Sequence, residues 1–463
     1  MTSKRKKGKS CACLEPIPVH ENPHINKTMK EIQVGLIGFG TVGSGLAEVL
    51  LDQQQRLQKR TGLSIRLAKV ADIKISELPP RFAAVTLTGD ANELFNDPNI
   101  DIIVELIGGI QPAKTFLLKA IEAGKHVVTA NKALISQEGW DIFAAAAAKG
   151  VEVGFEASVG GGIPVIKALK EGLVANRILS IMGIMNGTAN YILTRMTDEG
   201  VPFAEVLRDA QAHGFAEADP TYDIEGIDTA HKLAILMTMS YGMRISLSDI
   251  TTEGITRIEP IDIQFAREFG YRIKLLAISF NHGDHVEARV HPTMVPEDHL
   301  LASISGPFNA IHFTGDAVGN VLFYGQGAGK MPTGSAVAAD VVDIARNIQA
   351  GSINRVPALS YLPDQIAGRR ITPLEEVTCP YYFRISAKDE PGVLAGVAGI
   401  LSKYGISIES VIQKGRKQSG PVSIVMRTHT AREASVRKAL TEIDAMEVIT
   451  SETVKIRILE DEL

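Results

Sequence analysis

The chain has 463 residues, of which 45% are hydrophobic and 22% charged, and its formal net charge is −5. This is the balance of a folded globular protein, and it excludes a largely disordered, collagen-like or coiled-coil chain. At about 150 residues per domain, the length predicts roughly three domains.

The amino-terminal segment differs in charge from the rest. Residues 1–30 carry seven Lys and Arg against two Glu, a local charge of +5, which leaves −10 for the other 433 residues. The segment is polar and aperiodic, so we predict a disordered basic tail. No signal peptide or apolar stretch of roughly 18 residues is present, and three cysteines cannot form a disulfide framework. We expect a cytoplasmic protein that binds neither membrane nor nucleic acid.

From residue 31 to residue 160, short β-rich runs alternate with helical patterns. Strands are predicted over 32–37, 65–70, 100–106, 126–130 and 151–155, and helices over 42–59 and 113–122, with a further helix ending at Gly150. This alternation is typical of a parallel α/β sheet with helices on its faces.

The first predicted strand leads directly into a G-x-G-x-x-G pattern, formed by Gly38, Phe39, Gly40, Thr41, Val42 and Gly43. In this context the first glycine allows the tight turn, the second lets the backbone approach a pyrophosphate, and the third lets helix and strand pack closely. The pattern predicts a Rossmann-type dinucleotide-binding domain over 31–160. Asp72 would suit the ribose 2′-hydroxyl of NAD and Lys74 the 2′-phosphate of NADP, so the choice between them stays open.

Two further segments follow predicted strands of this sheet. Lys132 lies at the carboxyl end of strand 126–130, where open parallel sheets bind ligands; it either reaches cofactor or substrate or is a surface residue opening a helix. The segment Glu156–Pro164 contains three glycines. It either presents carbonyl oxygens and Glu156 to a monovalent cation or forms a plain tight crossover.

Beyond residue 160 longer helices and β-rich stretches predict an α+β substrate domain, and its densest cluster of charge lies between residues 213 and 236. The cluster comprises Glu217, Asp219, Asp223, Glu225, Asp228 and Lys232. Asp228 and Lys232 stand at i and i+4 on one helix face. They form either an exposed ion pair at an acidic helix start or part of an amino-acid site in which carboxylates hold an ammonium group and Lys232 transfers a proton.

The carboxyl-terminal part contains three more features. The glycine-rich segment 325–333 precedes a predicted helix over 334–348, and it either closes over a nicotinamide ring or is a flexible turn. Residues 350–378 contain several prolines and predict a linker. Residues 379–463 predict the order βαββαβ, a ferredoxin-like unit, whose turn at 389–395 is able to bind the carboxylate of a small ligand.

Six motifs in this order resemble homoserine dehydrogenases. They read GLIGFGTVG, KHVVTANKALI, EASVGGGIPVI, GIMNGTANYIL, EADPTYDIEGIDTAHKLAIL and GQGAGKMPTGSAVAAD, and residues 379–463 resemble an ACT domain. The resemblance covers about 30–463. It implies a homo-oligomeric enzyme, a dimer or tetramer, that interconverts L-homoserine and L-aspartate 4-semialdehyde with NAD or NADP in threonine and methionine biosynthesis. It also suggests feedback by threonine through the ACT domain.

The resemblance implies roles for individual residues. Lys232 is the general acid/base with Lys132 assisting, and Glu217, Asp228 and Asp223 bind substrate. Cofactor contacts fall on Gly38, Phe39, Gly40, Thr41, Val42, Gly43, Lys132, Gly214, Glu217 and Gly329. A sodium site falls on Glu156, Val159, Gly161 and Ile163. Ala71 stands where NADP-preferring members often carry arginine, and Ser407 where many ACT domains carry asparagine, so cofactor choice and effector stay open.

Two other functions compete with this one. A semialdehyde dehydrogenase needs a nucleophilic cysteine, and none lies between residues 14 and 378. A non-catalytic amino-acid sensor with a cofactor-binding Rossmann domain remains the alternative, disfavoured by the presence of Lys232, Glu217 and Asp228. The predicted division is a tail (1–30), a cofactor domain (31–160), a catalytic and dimerisation domain (161–349) whose last helix returns to the cofactor domain, a linker (350–378) and an ACT domain (379–463).

Overall fold

The computed structural model describes residues 30–214, 216–413 and 421–460. All of the predicted tail except Lys30 therefore lies outside the described residues. In the described part of the chain, no helix combines the length and the hydropathy that a membrane crossing requires.

The first part of the chain forms a six-stranded parallel sheet, here called the Rossmann sheet. Its elements are β1 (Glu31–Ile37), α1 (Thr41–Asp52), α2 (Gln54–Thr61), β2 (Ser64–Ala71), β3 (Thr86–Thr88), α3 (Asn92–Phe95), β4 (Ile102–Glu105), α4 (Ala113–Glu122), β5 (His126–Thr129), α5 (Lys132–Lys149) and β6 (Val153–Gly154). The strand order is β3-β2-β1-β4-β5-β6, and every pair is parallel. The predicted Rossmann-type sheet is confirmed.

Several predicted elements differ from the structure in their bounds, three of them by more than one residue or by a break. The predicted helix 42–59 is two helices, because Gln53 leaves helical geometry at φ −100° and ψ 8° between them. The strands predicted over 100–106 and 151–155 are shorter. The residues after β4 turn away from the sheet because the Glu105 side chain holds the amides of Ile107 and Gly108.

The middle of the chain is α+β. Its elements are α6 (Val165–Lys167), β7 (Ile178–Ile184), α7 (Gly187–Glu199), α8 (Phe203–Ala212), α9 (Thr221–Ile224), α10 (Ile227–Tyr241), β8 (Met243–Arg244), β9 (Thr251–Thr252), α11 (Pro260–Glu268), β10 (Tyr271–Asn281), β11 (His285–Pro296), β12 (Phe308–Gly315), β13 (Gly319–Gln326) and α12 (Lys330–Ala350). Helix α10 lies against the sheet that β7, β10, β11 and β12 form.

Helix α12 leaves this sheet and packs on the Rossmann sheet. Its apolar face, which includes Val337 and Val341, is buried with Leu36 and Leu46. Gly45 of α1 and Gly334 of α12 permit the close crossing of these two helices. A Cβ on Gly45 would lie 2.3 Å from the Lys330 carbonyl oxygen, and one on Gly334 would lie 2.8 Å from the Gly45 backbone. The helix therefore attaches the α+β part of the chain to the Rossmann sheet.

Two short strands, β14 (Ala367–Gly368) and β15 (Arg370–Ile371), precede the ACT unit, which comprises the described residues from 379 onward. Its elements are β16 (Thr378–Cys379), β17 (Tyr381–Ala387), α13 (Val393–Lys403), β18 (Ile408–Gln413), β19 (Val422–Thr428), β20 (Ala431–Arg432), α14 (Glu433–Asp444) and β21 (Val454–Ile458). The predicted βαββαβ order is confirmed. Within the segment predicted as a linker, β14 pairs with β8 and β15 with β11.

The ACT unit does not stand apart from the α+β part of the chain. Strand β21 pairs in parallel with β11, so both units share one eleven-stranded sheet. Behind this junction Arg384 and the Tyr382 hydroxyl donate to the buried carboxylate of Asp262 on α11, at 2.6 and 2.9 Å. Removing one partner of a buried ion pair leaves the other charge buried without a partner. Each of the two units therefore depends on the other for its stability.

Candidate active site

The charged cluster centres on the first turn of α10. Gly226, with a left-handed φ of +78°, precedes the helix, and Asp228 and Lys232 follow on one face, 5% and 7% exposed. Lys232 Nζ donates to Asp228 Oδ2 at 2.7 Å and to the Met185 carbonyl oxygen at 2.6 Å. The interpretation as an exposed surface ion pair is therefore wrong, since the pair is buried.

A second lysine reaches the same carboxylate from the Rossmann sheet. Lys132 opens α5, and its Nζ lies 2.8 Å from Asp228 Oδ1. The side chain of Asn131 caps this helix by accepting from Leu134 N at 3.1 Å, which fixes where the helix begins beyond strand β5. Asp228 thus joins one lysine from each side of the interface between the Rossmann sheet and the α+β part of the chain.

Asn186 adds the second carboxylate to the cluster. Its Nδ2 donates to Asp228 Oδ2 at 2.9 Å and to Asp223 Oδ1 at 2.6 Å. Its Oδ1 accepts from Ala189 N at 2.8 Å and so caps α7. Sequence reasoning missed this residue, although it lies within the GIMNGTANYIL motif directly before a helix, where asparagine is a preferred cap.

Burial and neighbouring charges shift the pKa values of the two lysines in opposite directions. Burial lowers the pKa of Lys232, and the positive charge of Lys132 lowers it further, against the opposing effect of Asp228. Burial also opposes the charge on Lys132, but Asp228, Asp223 and Glu217 outweigh it and raise the pKa of Lys132. Burial opposes ionisation of Asp228 too, yet the two lysines lower its pKa. At neutral pH Asp228 is ionised, and Lys232 gives up its proton more easily than Lys132.

The segment joining α8 and α9 holds two predicted site residues in exposed positions. Gly214, at φ +75°, turns the chain at the end of α8. Glu217 is exposed, and its carbonyl oxygen accepts from Gln211 Nε2 at 3.1 Å. Its negative charge contributes to the raised pKa of Lys132. The structure therefore places Glu217 at the edge of the cluster, while Asp223, Asp228, Lys132 and Lys232 are brought together.

The glycine-rich turn between β1 and α1 has the shape of a phosphate-binding loop. Gly38 has a φ of +95°, and a Cβ on Gly43 would lie 2.0 Å from the Gly38 carbonyl oxygen. A Cβ on Gly40 would meet nothing within 4 Å, and no side chain caps α1. Thr41 is exposed, while Phe39 and Val42 are partly buried. Open space before an uncapped helix start fits a pyrophosphate.

The end of β2 is tied to this loop. Asp72 Oδ2 accepts from Phe39 N at 2.7 Å, and its Oδ1 accepts from Lys74 N at 2.7 Å. Both candidates for recognising the adenosine ribose therefore lie beside the glycine loop. The residues present fit a dinucleotide with either a 2′-hydroxyl or a 2′-phosphate.

The residues proposed for sodium lie where the 156–164 loop meets the glycine cluster before α12. The Glu156 carboxylate is buried and accepts from Ile166 N and Lys167 N, both at 2.8 Å. Val159 and Ile163 are buried, and a Cβ on Gly161 would lie 2.4 Å from the Gly327 carbonyl oxygen. Gly329, at φ +122°, precedes α12. No group of three metal-ligating side chains occurs among the residues described, so any cation here would rely on carbonyl oxygens.

Two other contacts of the site were not predicted from the sequence. Glu105, fully buried at the end of β4, also accepts from Thr129 Oγ1 at 2.7 Å and so joins the ends of β4 and β5. His231 Nδ1 lies 2.6 Å from Ser136 Oγ, which makes a second contact between α10 and α5. The sequence signals for these contacts are the position of Glu105 at the end of an apolar strand and that of His231 directly before Lys232.

Comparison with known proteins matches most of the chain. Family models described as "Homoserine dehydrogenase, NAD binding domain", "Homoserine dehydrogenase" and "ACT domain" match residues 38–156, 164–342 and 381–448. The homoserine dehydrogenase of Pseudomonas aeruginosa is 47% identical over 431 residues, covering 93% of this chain and 99% of its own, and that of Neisseria gonorrhoeae is 45% identical over 429 residues with the same coverage. The crystal structure of a homoserine dehydrogenase from Thiobacillus denitrificans is 46% identical, with a TM-score of 0.88 and coverage of 93% and 99%.

The glycine loop yields a prediction that separates folding from cofactor binding. Gly40→Ala adds a methyl group into open space, so we expect an unchanged unfolding temperature but at least a tenfold higher Kd for NADPH and NADH, because the methyl group blocks the approach of the pyrophosphate. Gly43→Ala places its Cβ against the Gly38 backbone and should lower the unfolding temperature. Thermal unfolding and cofactor fluorescence titration measure both.

Gly172→Ala is the matched control, since a Cβ there also meets nothing within 4 Å and the residue lies outside the loop. It should leave both quantities unchanged. Unaltered cofactor affinity in Gly40→Ala would refute the placement of the pyrophosphate on this loop.

Proposed function

The chain belongs to the homoserine dehydrogenase family, and on that premise we propose how its own residues interconvert L-homoserine and L-aspartate 4-semialdehyde. The family's reaction is an NAD(P)-dependent oxidation and reduction at the terminal carbon of the substrate. The observation that carries the proposal is the buried contact of Lys232 with Asp228, beside the carboxyl edge of the Rossmann sheet.

Lys232 is the proposed general acid and base. In the direction of homoserine oxidation, its neutral Nζ accepts the proton of the terminal hydroxyl as that carbon loses a hydride. In the reverse direction its ammonium group donates a proton to the forming alkoxide oxygen. Bound NAD(P) accepts or supplies the hydride. The lowered pKa of Lys232 suits a group that must exist in both forms near the working pH.

The carboxylates around Lys232 are the proposed substrate contacts. Asp223 is held toward the cluster by Asn186, and Glu217 lies on the exposed segment at its edge. Both are suited to an ammonium group. Asp228 stays ionised and orients both lysines. Lys132 keeps its proton and supplies a hydrogen-bond donor between substrate and cofactor.

The glycine loop and Gly329 are the proposed cofactor contacts, together with Lys132, Gly214 and Glu217. Asp72 and Lys74 support use of either NAD or NADP. The carbonyl oxygens of Glu156, Val159, Gly161 and Ile163 are the proposed ligands of a sodium ion, which would brace the loop that meets the start of α12. We also propose a homo-oligomer.

The proposed division of the chain assigns cofactor binding to residues 31–160, with α12 packed on them, catalysis and dimerisation to 161–349, and regulation to 379–463. Its proposed place is in threonine and methionine biosynthesis, with threonine as the effector of the ACT unit. The sheet shared by β11 and β21 supports this coupling, since it gives the regulatory unit a direct connection to the catalytic one. The alternative function is a non-catalytic amino-acid sensor. Such a protein would not need Lys232 to be buried against Asp228.

Lys232→Met tests the proposed chemistry. Because a general acid and base contributes about 10² to 10⁴ in rate, we expect kcat to fall by that factor in both directions while the Kd for NADPH stays within threefold. Lys274→Met is the control, because it also removes a buried lysine of this region, whose Nζ donates to the Ile304 carbonyl oxygen at 2.5 Å. It should keep kcat within threefold, and near wild-type kcat in Lys232→Met would sink the assignment.

Threonine feedback is tested on the full chain, because the ACT unit shares buried contacts with the catalytic part. We expect L-threonine to lower the rate of NADPH formation from homoserine, with a coupling of about 1–3 kcal/mol, a 5- to 150-fold change in apparent affinity. D-threonine is the control and should have no effect. A rate that does not change with L-threonine contradicts the proposed effector.

A further inference from the structure

Asn309 is a fully buried polar residue beside the proposed general acid and base. It lies on β12, and its Nδ2 donates to the Met185 carbonyl oxygen at 3.0 Å. That oxygen also accepts from Lys232 Nζ, at 2.6 Å. One backbone carbonyl group is therefore shared between the proposed acid and base and an asparagine from a separate strand.

The sheet places Asn309 opposite Met185. The ladder between β7 and β12 ends, on this side, with Ile184 paired to Ala310. The next two residues facing each other in an antiparallel pair are Met185 and Asn309, but here the chain turns from β7 into the cap of α7. The Met185 carbonyl group has thus left the regular ladder, and the Asn309 side chain supplies a donor in place of a strand backbone.

Close packing holds the amide of Asn309 in place. A Cβ on Gly327 would lie 2.1 Å from Asn309 Nδ2 and 2.4 Å from its Oδ1, so the turn before α12 lies directly against the amide group. In addition, Asn190 Nδ2 donates to the carbonyl oxygen of the neighbouring Phe308 at 3.3 Å. The amide therefore has little room to turn away from Met185.

Stability alone does not account for an asparagine at this position. Within the described chain its Oδ1 has no hydrogen-bond partner, although the atom is buried. A buried acceptor without a partner destabilises a fold, and an apolar side chain would avoid that cost. What the asparagine provides, and an apolar residue does not, is the donor to the Met185 carbonyl group.

The direction of the Lys232 lone pair depends on this carbonyl group. A neutral amine has two N–H groups and one lone pair, and Lys232 Nζ has two acceptors, Asp228 Oδ2 at 2.7 Å and the Met185 carbonyl oxygen at 2.6 Å. With both N–H groups donated, the lone pair faces the one remaining direction. A general base must lie within hydrogen-bond reach of the proton that it removes, so the Met185 carbonyl group helps to set where the substrate hydroxyl has to lie.

We propose that Asn309 is a positioning residue, which fixes the Met185 carbonyl group so that the lone pair of neutral Lys232 faces the substrate hydroxyl. The proposal deepens the proposed function and rests on Lys232 as the general acid and base. In this role Asn309 needs no contact with substrate or cofactor, because it acts through the shared carbonyl oxygen.

The shared carbonyl group also gives Asn309 an effect on the Lys232 proton. The titratable side chains that face Lys232 come from α10, α5 and α9; they are Asp228, His231, Lys132 and Asp223. Asn309 is neutral, and it competes with the Lys232 ammonium group for the Met185 oxygen. Without this competition the ammonium form is better stabilised, so the pKa of Lys232 rises.

The experiment measures kcat, KM and their pH dependence for homoserine oxidation in two variants of the full chain. Asn309→Ala removes the amide, and Asn309→Asp keeps its shape but replaces the donor by an acceptor. We expect kcat to fall about 10- to 100-fold, because a small displacement of a reacting group is costly, with KM and the Kd for NADPH within about threefold. The rise of kcat/KM should move to higher pH by about half to one unit in both variants.

Asn190→Ala is the matched control. Asn190 is another buried asparagine whose Oδ1 has no partner among the described residues, but its Nδ2 donates to carbonyl oxygens of the segment 304–308 and not to an acceptor of Lys232. This variant should lower the unfolding temperature and leave the pH profile in place. A purely structural role of Asn309 would give the same result as the control.

Double variants separate this proposal from the proposed function. If Asn309 acts through Lys232, Asn309→Ala should have little further effect on kcat once Lys232→Met has removed the amine. The positioning role is overturned if Asn309→Ala costs the same factor in both backgrounds, or if neither variant at Asn309 moves the pH profile; Lys232 would then remain the acid and base. Near wild-type kcat in Lys232→Met alone would instead refute the proposed function.

Discussion

The buried carboxylate of Asp228 is the junction on which the site depends. Burying a charge is costly unless it is paired, and Asp228 is paired twice, with Lys132 from the Rossmann sheet and with Lys232 from its own helix. Asn186, which caps α7, adds a third contact. Three separate helices are thus held at one carboxylate, and this junction also lets two neighbouring lysines differ in their affinity for a proton.

Close packing elsewhere in the molecule makes this junction possible. The crossing of α12 and α1 at Gly45 brings the α+β part of the chain onto the Rossmann sheet, so Lys132 is able to reach across to Asp228. On the other side, the shared pairing of β11 and β21 and the buried Arg384–Asp262 pair hold the ACT unit against the same region. The charged cluster around Asp228 therefore lies between two interfaces, one with the Rossmann sheet through Lys132 and one with the ACT unit through β11.

Sequence reasoning was successful where the signal is local. The glycine loop, the alternation of strands and helices, and the i, i+4 spacing of Asp228 and Lys232 all belong to one stretch of chain. Burial of that pair was not predictable, because an exposed pair has the same spacing. The roles of Asn186 and Glu105 and the sheet shared with the ACT unit depend on residues far apart in the chain, and no local pattern encodes them.

The pH dependence of homoserine oxidation tests the central claim most directly. In the proposed mechanism oxidation needs neutral Lys232, so kcat/KM should rise with pH through a pKa below the ordinary lysine value of about 10.4. Lys132→Met removes the positive charge that lowers this pKa and leaves Asp228 to Lys232 alone, so the rise should move to higher pH. Lys132→Arg keeps the charge and should leave it in place. A profile that does not move in Lys132→Met, or that moves to lower pH, would contradict the account.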